Sequence, residues 1–598
     1  TGAINDSDHT LTGDPLTYQG RLDTGGQNYG LRYEGIFGPS WLLAAQASRY
    51  KERNSVGPAT TAGDVPQYQD AANGFFQTGG FGLILDKDFK RTSFGGSLTR
   101  FLGGHEIKFG AEYEKADAEV IKRESGGQLI TIFPNQVNPA LPIYEHFYWT
   151  TPTATVGNAP ISQLNASPEH KNTTLYLQDR WAILPNLTVS AGVRWDRQEI
   201  IDASGTLQVN LKHDWAPRAG VIWDPSNDHK TKVFASYGRF YEEIPMDLVI
   251  RSFSFERQAR IFNYSPDPAD YFPDPAAEAD HGTPSAILGG FTEPSDPNIH
   301  GQYISEYILG GEREVLPDIA VGLKGIYRDY GNVIEDFLCI NDGTYCIGNP
   351  GKGGPGQSAS GFFPGFTQVY GLDYTTQYPA PRPVRIYRGL QLDVTKRFSH
   401  NWQAIASYVY SKLEGNYDGE YSPFTQTTLN DPNISATYDY YDFFTDGSNL
   451  SVITNRGPLS NDRRHQFKVS GVYVTPFKLS VGLAAYFRTG TPLTRYGFSD
   501  AYGRYEFFLT QRGAEGRTPD NYEADLHFGY PISIGPVSVN LLLDVFSILN
   551  AQRAVTLDER WGFVEADNAS PTPVNPNYKQ AFFRTPPTTA RFGVRVSF

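Results

Sequence analysis

The chain has 598 residues and a net charge of −14. No Lys/Arg run could track a phosphate backbone, so nucleic acid is not an expected partner. Tyr (37), Phe (38) and Gly (60) are abundant, yet hydrophobic content is only 39% and mean hydropathy is −0.42. No run approaches the ~18 apolar residues of a transmembrane helix. What remains is a soluble β protein, or a closed membrane barrel that needs apolar residues only at alternate positions. The first residue is Thr and no signal peptide is visible, so a processed or truncated polypeptide is expected.

In chain order, HTLTG (9–13) reads as the end of an upward strand. Strand pairs then follow, joined by tight turns at FGPS (37–40), LGG (102–104), LPN (184–186), PSNDHK (225–230), VLPD (315–318), SHN (399–401), TPF (475–477) and IGP (534–536). These carry the Gly, Pro and Asn that reversals need. Between the hairpins lie long, mostly polar connections: 53–88, 124–169, 202–213, 243–301, 333–384, 416–463, 490–520 and 551–587. Short turns are expected on the periplasmic side and long loops outside.

The strands themselves show a period of two. Leu187, Val189, Ala191, Val193 and Trp195 alternate with Thr188, Ser190, Gly192, Arg194 and Asp196. Tyr522, Ala524, Leu526, Phe528 and Tyr530 alternate with Glu523, Asp525, His527 and Gly529. Val537, Val539, Leu541, Leu543 and Val545 alternate with Ser538, Asn540 and Asp544. The chain ends on TARFGVRVSF, with Phe592, Val594, Val596 and Phe598 opposed to Arg591, Gly593, Arg595 and Ser597. A terminal aromatic strand suits an outer-membrane barrel, where it closes the cylinder and Phe598 serves as an assembly signal. The hairpins, the final strand and the strand before residue 28 make about eighteen, an even number as bacterial barrels have. No blade-like repeat suggests a propeller.

Candidate sites are few. Cys339 and Cys346 lie in a Gly/Asn/Pro-rich segment without further zinc ligands, and a local disulfide in an oxidising compartment is expected. GQSAS (356–360) approaches a nucleophile elbow, but Ser360 replaces the second Gly, and no metalloprotease or P-loop motif occurs. No enzyme activity and no cofactor are expected. Asp418, Glu420, Asp439, Asp442 and Asp446 share one predicted external loop and are weak calcium candidates, against the plainer reading of a solvated acidic loop. Tyr144, Phe147, Tyr148 and Trp149 offer an aromatic ligand surface, a self-packed loop or part of an interfacial girdle. Arg194, Asp196, Glu523, Asp525, His527, Arg591 and Arg595 fall on the lumen side, where they line a path or hold a plug.

Several segments together resemble TonB-dependent outer-membrane receptors of the Oar-like type. They are LYLQDRW (175–181), ASYGRFYEEIPMDL (235–248), QYISEYILGGERE (302–314), IYRDYGNVIEDF (326–337), YRGLQLDVTKRFSHNWQAIASYVYSKLEGNYDG (387–419), RGPLSNDRRHQFK (456–468), RGAEGRTPDNYEADLHF (512–528) and DVFSILNAQR (544–553). The resemblance runs from about residue 28 to the end. It implies a 22-stranded barrel with a plugged lumen, a carboxypeptidase-regulatory-like accessory domain and a TonB-box region before the plug. None of those N-terminal parts is visible here. The expectation is therefore an all-β transmembrane antiparallel barrel over residues 1–598, with about eighteen strands, as the C-terminal part of a longer receptor. Its implied partners are outer-membrane lipid and lipopolysaccharide, the TonB complex through an N-terminal part, and an unknown ligand taken up from outside. The alternative is a passive, porin-like or structural surface barrel without energy coupling.

Overall fold

A computed structural model describes residues 15–70, 76–133, 142–150, 161–263, 286–289, 295–296, 298–338, 345–350, 382–419, 441–442, 451–452, 456–499, 504–564 and 575–598. Its main body is one antiparallel sheet of nineteen strands. Two of them, Leu164–Ala166 and Gly457–Pro458, are short extensions, which leaves seventeen of barrel length among the described residues. Consecutive long strands are neighbours throughout. This up-and-down order needs only hairpins and gives every interior strand two hydrogen-bonded partners.

The eight tight turns fall between strands as expected. Gly38, Gly103 and Gly535 each have φ near +60° with nothing within 4 Å of a would-be Cβ. The backbone conformation, not crowding, requires glycine there.

Pairing registers carry the two faces around the sheet. Val596 lies opposite Val539, Leu541 opposite Tyr530, and Leu526 opposite Leu483. Farther along, Val189 is opposite Val221 and Leu309 opposite Gly325. One face is apolar and open: Leu31, Leu309 and Phe592 are 75%, 66% and 69% exposed. In an outer-membrane barrel that face meets lipid.

Strand length varies around the wall. Gly20–Phe37, Trp41–Pro58, Leu83–Leu102 and His105–Glu124 have 18 to 20 residues, whereas Ser480–Arg488 and Thr589–Ser597 have 9. About 9–11 tilted residues span a membrane, so the longer strands rise well beyond it as a free-standing wall. No described helix is long and apolar enough to cross a membrane.

One expectation is revised. The connection 202–213 is not a long loop. Strand Leu187–Ile201 returns as Leu207–Trp223, so only residues 202–206 join them. The registers shift between Asp196 and Gln198, which turns Val209 and Leu211 toward a buried core. Those two residues alternate with Gln208, Asn210 and Lys212, a strand pattern hidden by its polar half. The eighteenth strand, His9–Gly13, lies outside the described residues. Gly20–Phe37 pairs only with Trp41–Pro58, and Thr589–Ser597 only with Val537–Phe546, among the described residues.

The long connections are also not simply polar. Gln67–Asp70, Phe76–Gly79, Leu129–Phe133, Ile143–Trp149, Arg257–Asn263 and Ala286–Gly289 come from three different connections and form one six-stranded sheet. Tyr496–Ser499, Arg504–Phe508 and Arg560–Val564, with two short segments, form a five-stranded sheet.

The face assignment is tested by charge. Leu541→Arg, on the outer face, should cost about 2–4 kcal/mol in reversible folding into lipid vesicles. Ala484→Arg, exposed on the inner face opposite Asp525, should cost under about 1 kcal/mol, as charges near the water-facing limit do. Equal costs would refute the assignment.

Candidate functional site

The inner wall is built from the polar residues of each alternation, paired across strands. Arg194 Nε lies 2.9 Å from both carboxylate oxygens of Asp196, and its Nη2 donates to Thr174 Oγ1 at 2.9 Å. Glu112 Oε2 approaches the same guanidinium at 3.5 Å. On the far side Asp544 accepts from His527 Nδ1 at 2.6 Å and from Arg591 Nη2 at 2.7 Å. Lys232–Glu312 at 2.8 Å and Arg328–Glu306 at 2.5 Å continue the pattern. Glu523 accepts from Tyr486 Oη at 2.7 Å, and Asp525 from the Ser547 amide at 2.7 Å. Arg595 is exposed opposite Asn540. The seven expected lumen residues thus share one face but form separate local networks, not one cluster. Isolated apolar side chains stand among them: Ile36 is 80% and Ile405 56% exposed.

At the outer end a short helix, Met246–Ser252, turns inward. Pro245 stands at its N-terminus and Asp247 in its first turn, where proline and an acidic group suit a helix start. Leu248, Val249 and Phe253 pack on Ile200, Val209 and Leu211, while Ile250 packs on Ala118 and Val120. Lys87 Nζ holds Asp247 at 3.0 Å and His170 Nδ1 lies 3.2 Å from Glu243. This gives the mouth a hydrophobic core of its own inside the wall.

A second buried region joins three connections. Asp418 and Arg512 form an ion pair with side chains 0% and 1% exposed. The Ser460 amide donates to the same carboxylate at 2.9 Å. Phe508 lies 4.9 Å beneath the guanidinium and Tyr496 5.0 Å from Phe508. Asp462 is likewise buried. It receives Arg517 Nη2 at 2.5 Å, Arg464 Nε at 3.0 Å and the Leu413 amide at 2.7 Å. Glu559 accepts the Thr494 amide at 2.5 Å. Burial pushes its carboxyl well above the usual range, and the nearby Asp418 and Asp558 push the same way.

The sequence reading missed this network. Its signal was present, since Asp418, Asp462, Arg464, Arg512 and Arg517 all sit in the segments quoted for the family resemblance. Asp418, treated there as a weak calcium ligand, has its carboxylate occupied by Arg512 and Ser460. Glu420, Asp439 and Asp446 lie outside the described residues, as does the Asp442 side chain. Tyr144, Tyr148 and Trp149 are buried within the six-stranded sheet, and the Phe147 and Trp149 rings meet edge-on at 5.8 Å. Cys339 lies outside the described residues. Strands Glu335–Leu338 and Tyr345–Gly348 pair with Phe337 opposite Cys346. The segment GQSAS is also outside them, and Phe598 is fully exposed at the end of the last strand.

A family model described as outer membrane beta barrel domain matches residues 3–213 and 202–484. The chain belongs to this family. It is a bacterial outer-membrane barrel. It is 28% identical over 594 residues to the TonB-dependent transporter Oar of Myxococcus xanthus, covering 88% of this chain and 52% of that protein. The chain therefore spans about half the length of the curated relative it matches. Among solved structures it is similar to the outer membrane transporter YddB from Escherichia coli, with TM-score 0.57 and 12% identity, over 96% of this chain and 63% of that one. It is also similar to the pyoverdine outer membrane receptor FpvA from Pseudomonas aeruginosa, with TM-score 0.53 and 12% identity, over 99% and 64%. At these identities the structural likeness is one of fold.

Two tests address the mouth. Arg512→Ala leaves the Asp418 carboxylate buried without its cation and should cost about 3–5 kcal/mol of local stability. Hydrogen exchange of the 456–464 and 508–518 amides reads it. The double variant Asp418→Leu/Arg512→Met should recover most of the loss. Glu559 binds its proton more tightly folded than unfolded. Its contribution is full below the ordinary carboxyl value of about 4.3 and declines as pH rises above it. Exchange protection at 494–512 should fall with rising pH, and Glu559→Gln should flatten that slope.

Proposed function

We propose that this chain is the barrel part of a TonB-dependent outer-membrane transporter that takes up a scarce ligand from outside the cell. The observation that carries the reading is the inner wall. A passive aqueous channel has a polar interior. Here self-paired charge networks alternate with bare apolar side chains such as Ile36, Ile222 and Ile405, as suits a wall that packs on protein. The similarity to Oar supports the same reading.

In this scheme the mouth sheets and the inward helix form the receiving surface. The inner wall holds a plug by hydrogen bonds and ion pairs, with Arg595, Arg591 and Asp525 among the groups presented to it. The TonB complex supplies the energy that moves the plug, and no covalent chemistry is involved. The ligand is released because the two plug states bind it with different affinity. The unpaired edges at Gly20–Phe37 and Thr589–Ser597 receive closing strands from outside the described residues, because bare edges cannot stand in hydrocarbon.

Planar-bilayer recording of the full-length polypeptide tests the reading. A closed barrel that gains conductance only when a plug is deleted is the expected result. Steady conductance by the intact protein would replace the proposal with a passive porin. In cells, growth on or uptake of the ligand should be lost when TonB is deleted, and undiminished uptake would refute energy coupling.

A further inference from the structure

The inner wall divides into two sides by how its cations are held. From Gly20–Phe37 round to Tyr303–Leu316, each described inner-face Lys or Arg has a carboxylate or an aromatic ring. Arg91 lies 3.7 Å from Glu114 and Arg180 3.7 Å from Glu106. Arg32 meets Glu34, Arg194 meets Asp196 and Glu112, and Lys232 meets Glu312. Toward the mouth, Lys87 and Lys122 hold Asp247 and Glu256. Lys108 and Arg218 lie over the Tyr176 and Phe240 rings at 5.8 and 4.6 Å.

From Ile319–Gly331 round to Thr589–Ser597 the pattern breaks. Registers place Lys324 opposite Gly310 and Gln391, and Lys468 opposite Ser407 and Tyr486. Arg595 faces Asn540, and Arg397 stands exposed near the end of Arg385–Ser399. None of these four has an ion pair or a ring beneath it among the described residues. Arg591, held by Asp544, and Arg488, 5.1 Å over the Tyr486 ring, are the exceptions on this side. Its other carboxylates take neutral donors. Asp393 accepts from Gln391 Nε2 at 2.9 Å, Glu523 from Tyr486 Oη and Asp525 from the Ser547 amide. A concavity of about 540 Å³ is sunk into the same side over Ser470 and Ala484, with Arg397 and Ile405 in its lining.

An ammonium or guanidinium in a narrow lumen needs a counter-charge, because water is scarce there and the local dielectric is low. The first side supplies its own. The second side requires it from whatever fills the barrel. A neighbour pulled from the first side leaves intact ion pairs behind. One pulled from the second leaves bare cations, which is the costly case.

We infer that the plug seats acidic side chains against Lys324, Arg397, Lys468 and Arg595 and stays on that side during transport, while it parts from the self-paired side, where the ligand passes. The passage then runs along the wall between Leu83–Leu102 and Tyr303–Leu316. It lies below the helix Met246–Ser252, which packs on Ile200 and Ala118 of the same wall, so the receiving surface stands directly over it. The inference rests on the transport reading and adds to it the side on which the lumen opens.

The test is cysteine labelling of the full-length polypeptide by a membrane-impermeant maleimide, in cells with and without TonB. Ser190→Cys and Ser236→Cys report the self-paired side, Ser470→Cys and Ala484→Cys the other. All four positions are exposed on the inner face. The parent chain gives the labelling background, and heat-modifiable gel mobility is the folding control. TonB should speed labelling several-fold at positions 190 and 236 and leave 470 and 484 unchanged. Equal acceleration at all four, or acceleration confined to 470 and 484, would overturn the inference and leave the transport reading standing. No response to TonB at any position would sink the transport reading, and the inference with it. At rest, Arg397→Gln/Lys468→Gln should loosen the seat and raise conductance in planar bilayers, whereas Lys232→Gln/Glu312→Gln should leave the barrel closed. An equal effect of the two double variants, or the reverse order, would also overturn the inference.

Discussion

Backbone hydrogen bonding in hydrocarbon governs this molecule. A strand in lipid has no water to satisfy its N–H and C=O groups, so each must find a neighbour on both sides. The up-and-down antiparallel order does this with the shortest turns available. Everything else is arranged around that sheet: one face released to lipid, one face free for polar chemistry, and connections that gather at one end.

The two faces solve different problems. The outer face needs only bulk and apolarity, and its variation lies in depth. Aliphatic residues fill the middle and Tyr with Arg or Lys marks the outer boundary. Many charges on the inner face meet a partner on their own or a nearby strand, as Arg194 meets Asp196 and Glu112, while Arg595 stands exposed. A wall satisfied in this way can release a packed neighbour without being left with bare ions.

The mouth is a separate small protein built from distant stretches of chain. Buried Asp418–Arg512 and Asp462 with its two arginines tie two connections together and Glu559 brings in a third, while Met246–Ser252 closes another part of the mouth with aliphatic packing. Buried ion pairs add little net stability over apolar packing, but breaking one is costly. They suit a junction that must have one geometry. The resemblance to transporters gives that geometry its proposed use, the presentation of a ligand surface above a closed lumen.

Alternation and turn residues alone determined the hairpins, the tight turns, both faces and the terminal strand, because each depends on contacts between neighbours in sequence. Leu541 and Arg591 were placed by a rule of two. The sequence also supplied the charged residues of the mouth, yet gave no hint that Asp418 would meet Arg512 or that Asp462 would bind both Arg464 and Arg517. Val209 and Leu211 looked like loop because their partners, Leu248 and Phe253, lie on another connection. Tertiary structure decided those matters. Periodicity reports which side a residue faces. Only the assembled sheet reports what it faces.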